Sequence, residues 1–125
     1  MATEQDVRQV IASLPDTSEV LSAGVPYFRV GRRGFAKLRR DPDVLVVHTA
    51  GLEDKAELMR AEPDKYFSTA HYDGEAAVLV RLDAVSVDEL RALLTSSWRL
   101  RADGARRDAG DRTAVLSEIN VKEPG

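Results

Sequence analysis

What most constrains this chain is a succession of strand-length segments joined by very short turns. "PYFRVGRRGFAKLRR" (26–40) divides into two alternating segments about Gly31-Arg32-Arg33-Gly34. Phe28 and Val30 alternate with Tyr27 and Arg29, and Ala36 and Leu38 alternate with Phe35, Lys37 and Arg39. Gly34 is expected to supply the left-handed backbone that closes such a hairpin. "DPD" at 41–43 is a turn signal, and "VLVVHT" at 44–49 is a nearly continuous, β-branched apolar run that suits a central strand. Residues 66–71 are expected to be extended, Asp73-Gly74 to turn, and 76–82 to form a strand with Val78, Val80 and Leu82 on one face. Residues 18–25 make a weaker, short strand. Links this short leave no room for the crossover that parallel strands need, so neighbouring strands should pair antiparallel.

Helical spacing frames these strands. Val7, Val10, Ile11 and Leu14 fall on one face of a helix over 4–14, capped by Thr3 and stopped at Pro15-Asp16. Leu52, Ala56 and Met59 share a face of a short helix over 52–61, which ends before Pro63. Ser86 and Glu89 form a capping box, and Leu90, Leu93, Leu94 and Trp98 carry a helix to about residue 101. The charged, glycine-containing "ADGARRDAGDR" should then be a loop, and "TAVLSEI" a short helix or an edge strand. The expected fold class is therefore α+β, a two-layer sandwich with an antiparallel sheet and helices packed on one face. The 125 residues suit one domain.

Charge is distributed unevenly. The 26–40 stretch holds six cations (Arg29, Arg32, Arg33, Lys37, Arg39 and Arg40) and no acid, whereas the whole chain carries −3, so the remainder sums to −9. A positive island on a negative body can steer a polyanion locally and repels it at longer range. As a hairpin, the stretch presents Arg32 and Arg33 at an exposed tip and Lys37 and Arg39 along one flank, as a nucleic-acid-binding wing does. "VGRRG" also matches the GxxG loop that clamps a nucleic-acid backbone in KH domains, but Pro26-Tyr-Phe-Arg-Val makes a poor preceding helix. A third possibility is a solvated face paired with Asp41, Asp43, Glu53 and Asp54.

Chemistry of other kinds finds little footing. With no cysteine there is no disulfide, no thiolate nucleophile and no cysteine-based zinc site. Glycine-rich phosphate loops, zinc-protease and EF-hand patterns are absent from the sequence. His48 and His71, with Asp73 or Asp83, would form an acid/base or metal set only if the fold brought them together. Neither a cofactor nor a metal is expected, and no residue is assigned as catalytic. The opening "MATEQDVRQV" lacks a basic patch followed by an apolar run, and no stretch approaches the ~18 apolar residues of a membrane span. The expectation is a cytoplasmic protein without membrane contact, monomeric or homodimeric.

Several segments together resemble the MmcQ/YjbR-like family. "VPYFRVGRRGFAKL" is similar to its proline-aromatic strand and glycine-bearing turn, and "DPDVLVVHT" to its middle strand. "HYDGEAAVLVRLDAVSVDELRALL" is similar to its turn, long strand and final helix, and "SSWRLRA" to the end of that helix. The likeness spans about 4–102, leaving 103–125 as a variable tail. "ADGARRDAGDR" lacks the Ala-Pro and basic run with which many members continue. The resemblance implies a double-wing, frataxin-like arrangement and a DNA-binding role. Iron handling is not carried over, because the first helix offers only Glu4 and Asp6 as acids. The expected function is thus a small non-enzymatic protein that binds DNA weakly and largely nonspecifically through Arg29, Arg32, Arg33, Lys37, Arg39 and Arg40. The alternative is an interaction or chaperone-like module that holds an acidic protein.

Overall fold

The computed structural model describes residues 1–39 and 43–122, with side chains as far as residue 106. Six strands form one antiparallel sheet in the order β1-β2-β3-β4-β6-β5. They are β1 (Thr17–Ser22), β2 (Val25–Val30), β3 (Arg33–Leu38), β4 (Val44–His48), β5 (Tyr66–Phe67) and β6 (Ala77–Arg81). Three helices accompany them: α1 (Glu4–Ala12), α2 (Leu52–Ala61) and α3 (Val87–Lys122). The α+β class and the antiparallel pairing follow the sequence expectation. Among the described residues, no helix is long and apolar enough to cross a membrane.

Parity divides the sheet into two faces. Leu38, Leu45, Val80 and Tyr66 stand opposite one another across four strands, as do Phe28, Ala36, Val47 and Val78 across four. All are buried, in one core with Val7, Val10 and Ile11 of α1 and Leu90 and Leu94 of α3. The opposite face carries the row Tyr27, Lys37, Val46, Leu79 and Phe67.

Helix ends form where the sequence supplies donors and acceptors. Thr3 caps α1, and Asp6 returns the contact to the Thr3 N–H at 2.9 Å. The box at the start of α3 closes in the same way: Glu89 N–H donates to Ser86 Oγ at 3.1 Å. Trp98 Nε1 donates to Pro15 O at 2.9 Å, tying α3 to the α1–β1 link.

Several expectations change. Residues 18–25 are not one strand, because Ala23 (φ 52°) and Gly24 (φ 80°) form a two-residue turn between β1 and β2. In the β2–β3 hairpin Val30 pairs with Arg33, so the turn is Gly31-Arg32, and Gly31 rather than Gly34 takes the positive φ (57°). A bulge lies between the Phe28–Ala36 and Arg29–Gly34 pairs, with Phe35 as the extra residue. Phe35 is thereby buried instead of alternating outward with Lys37. On α2 the inward residues are Lys55, Leu58 and Met59, while Leu52 is exposed. Finally, α3 runs through the expected loop at 102–112 and through "TAVLSEI" to Lys122. Ala102 is buried, and Gly104 lies against the Arg33 guanidinium, so helix is favoured there by packing that local composition does not reveal.

Strand β5 is also shorter than 66–71. Residues 68–76 form a loop, and Asp73-Gly74 lies within it and does not close a two-residue hairpin.

Candidate functional site

The basic stretch occupies β2, its turn and β3, and the pleat sorts its cations. Arg29, Lys37 and Arg39 alternate onto the face opposite the helices, each half-buried. Arg29 Nε is buried and has no hydrogen-bond partner among the described residues. Arg32 is exposed in the turn. Arg33 departs from the expected exposed tip: it stands opposite Val30 on the helix side and is half-buried, because the turn is seated on α3. A Cβ added at Gly104 would come within 2.8 Å of Arg33 Nη1, and one at Gly31 within 3.0 Å of Ala105 Cβ. Arg40 lies outside the described residues.

The 68–76 loop folds back over the sheet face that bears Lys37. Lys55, buried on α2, holds it by donating to Tyr72 O and to Glu75 O, the latter at 2.9 Å. Two recesses result, sharing Lys37, His71 and Tyr72, so they run on from each other along β3. One is an open recess bounded by Tyr27, His48, Glu75 and Arg101, with a volume of about 270 Å³. The other extends past Arg39 to Ala23 at the β1–β2 turn. The His71 and Tyr72 rings meet edge to face, with centroids 4.8 Å apart.

Two structural details shape the first recess. Tyr27 lies directly over Gly34, where a Cβ would overlap its hydroxyl at 1.6 Å. Arg101 Nε donates to Gly34 O at 2.9 Å, while Ser97 Oγ donates to Phe35 O at 3.1 Å one helical turn earlier. His48 and His71, far apart in sequence, line this same recess, with Glu75 as the carboxylate beside them in place of Asp73 or Asp83. Among the described residues no group of three or more His, Asp or Glu side chains is arranged to hold a metal ion. The His48 imidazole is held below its ordinary pKa, first by burial and then by the charges of Arg101 and Arg33.

Many acids are engaged elsewhere. Glu4 and Glu19 pair with Arg8 at 2.6 and 2.9 Å. Glu62 and Glu89 pair with Lys65 at 2.8 and 2.6 Å, which lowers the Glu89 carboxyl and raises the Lys65 ammonium. Sequence reasoning missed Tyr27, Glu75 and Arg101 as site residues. The only prior signal for Arg101 is its place four residues after Ser97, on the stripe of α3 that meets β3.

Comparison with known proteins agrees with this architecture. A crystal structure of Deinococcus radiodurans protein DR2400, a DUF419 domain, superposes with a TM-score of 0.69 at 29% identity, covering 80% of this chain and 78% of that one. Uncharacterised proteins of Mycobacterium tuberculosis and Mycobacterium bovis are each 32% identical over 116 residues, covering 82% of this chain and 90% of theirs. The YjbR family model matches residues 12–100, which span every strand of the sheet, α2 and the start of α3 as far as residue 100. The chain belongs to the YjbR family.

Proposed function

We propose that this chain is a non-enzymatic nucleic-acid-binding protein that receives a strand on the sheet face bearing Arg29, Lys37 and Arg39. The observation that carries this is their shared face beside Tyr27, with Tyr72 and His71 across the groove. Cations that follow a backbone, interleaved with aromatic rings that accept stacked bases, suit a single strand better than a rigid duplex. Such contacts position a backbone and do not read sequence, so binding is weak and largely nonspecific.

Fluorescence anisotropy of a labelled oligothymidylate, against a random duplex and over a range of salt, tests this. Three neutralised phosphates on a single strand give a slope of log K against log salt of about −2. Combining Lys37→Glu with Arg39→Glu should abolish binding, whereas Arg32→Glu in the exposed turn should weaken it by no more than about threefold. No binding at low salt would end the proposal. If an acidic peptide then bound the same face, a protein-interaction role would take its place.

A further inference from the structure

On the helix side of the sheet, away from Lys37 and Arg39, α2 and α3 leave an open trough of about 410 Å³ between them. Each helix gives it one stripe. Asp54, Glu57, Leu58 and Ala61 of α2 lie at i, i+3, i+4 and i+7, and Leu93, Ser97 and Leu100 of α3 lie at i, i+4 and i+7. The two walls are tied near both ends. Lys65, just beyond α2, pairs at 2.6 Å with Glu89, one turn before Leu93. Ser97 Oγ donates to Phe35 O at 3.1 Å, beside Ala36, which stands opposite Val47 of β4. The helices therefore run in opposite directions, and the link from β4 to α2 lines the end nearer Leu100. Between the ties Leu58 and Leu93 lie half-buried against the core, while Asp54, Glu57, Ala61 and Leu100 are exposed along the rim.

We propose that this trough binds a small amphiphile that joins an apolar body to a protonated amine. A mostly apolar lining with a few polar groups, at this volume, is the make-up of a small-ligand site. Leu58, Leu93 and Leu100 receive the apolar body. Asp54 and Glu57, one turn apart on one face of α2, are placed to accept from a single ammonium. Neither carboxylate has an ion-pair partner among the described residues. Among those residues no lysine or arginine lines the trough, in contrast with the recesses on the opposite face of the sheet. Its imidazole, His48, is held below its ordinary pKa and so is neutral near pH 7. An anionic amphiphile would meet two like charges and no cation, which selects against it. The size of the trough favours a free small molecule over a partner's helix. The α2 wall ends at Ala61, and a stripe of seven steps spans only about 10 Å, which a docked helix would outrun. This inference is independent of the strand-binding proposal.

The test is a ¹⁵N–¹H NMR titration of the full chain with three probes that share a ring system and differ in charge: naphthylmethylamine, naphthylmethanol and naphthylacetate. The amine should shift the amides of α2 and of the α3 turns that carry Leu93 and Leu100. The alcohol should shift the same amides but bind about fivefold more weakly, and the acetate should leave them unmoved. Combining Asp54→Asn with Glu57→Gln, both at exposed positions, should bring the amine to within about twofold of the alcohol. Ala61→Phe, at the exposed end of α2, should fill the trough and weaken the amine and the alcohol alike by about fivefold or more. Equal binding of amine and alcohol by the parent, shifts confined to other residues, or no shift with the amine would each overturn the proposal. So would dilution-dependent shifts of the trough amides without any probe, which would assign the trough to a second copy of the chain. The oligothymidylate titration of the Lys37 and Arg39 face is unaffected by any of these results.

Discussion

Lys55 carries an ammonium into a place where only 4% of the residue remains exposed. It is tolerated there because two main-chain carbonyls, Tyr72 O and Glu75 O, accept its protons. Replacing it by methionine keeps the stem and removes the donors. Lys55→Met should cost about 2–3 kcal/mol by leaving those carbonyls short of partners. Urea denaturation would measure the loss, and faster hydrogen exchange confined to 72–76 would locate it. His48 sets a different dependence. Arg33 and Arg101 face it with like charge, Lys37, His71 and Glu75 share its recess, and Asp54 and Glu57 line the groove on its other side. Because burial and the arginines lower its pKa in the folded chain, the unfolded chain binds the proton more readily. The corresponding stability is present above the ordinary histidine value of about 6.5 and is lost as pH falls below it. Urea midpoints near pH 7.5 and near pH 5.5 should therefore differ, with the lower at acid pH, and His48→Gln should narrow the gap. Glu89 acts over a separate, more acid window: its lowered carboxyl contributes above the ordinary glutamate range and is lost as pH falls through its folded value.

At the scale of elements, the β2–β3 turn depends on α3. Ser97, Arg101, Gly104 and Ala105 lie at i, i+4, i+7 and i+8, one stripe of a helix, and they meet in turn Phe35, Gly34, Arg33 and Gly31. The two glycines in this contact should respond oppositely. Gly31→Ala places a side chain in the left-handed region and 3.0 Å from Ala105 Cβ, so a loss of about 2 kcal/mol is expected. Gly104→Ala meets only the end of the flexible Arg33 side chain, while removing glycine from a helix gains about 1 kcal/mol. Thermal unfolding of both variants would show the contrast, and a loss in Gly104→Ala would mean that Arg33 is not free to move aside. This stripe also explains where the sequence was opaque. Periodicity exposed α1, β4, β6 and the start of α3, because their apolar residues recur at helical or strand spacing. Beyond Arg101 the contact surface is made of Ala102, Gly104 and Ala105, small residues among charges that look like a loop until the hairpin is placed over them. The bulge at Phe35 was hidden for a related reason. One extra residue reverses the inward and outward parity, and a lone strand carries no record of its partner's register.

Across the whole molecule, the candidate site is assembled from parts that the sequence keeps apart. The basic stretch was visible as composition, and three of its cations (Arg29, Lys37 and Arg39) do share a face. Its companions were not visible. Tyr72 and Glu75 reach the sheet through a clasp from Lys55, 17 and 20 residues earlier, and Arg101 arrives from a helix more than sixty residues beyond Lys37. Local patterning cannot report such encounters, because each is settled by tertiary packing. The strand order, finally, divides this chain in time. Strands β1 to β4 are neighbours in both sequence and sheet, whereas β4 next pairs with β6, with α2, β5 and the 68–76 loop intervening. Closing the shorter loops costs less entropy, so the meander should zip up first and the β4–β6 ladder should complete the sheet late. Truncations at Phe28 should then slow refolding, while Val80→Ala should chiefly hasten unfolding, and stopped-flow chevrons of the two would reveal that order. The recess, which needs β3, β4 and the returning loop together, would be among the last features of the molecule to exist.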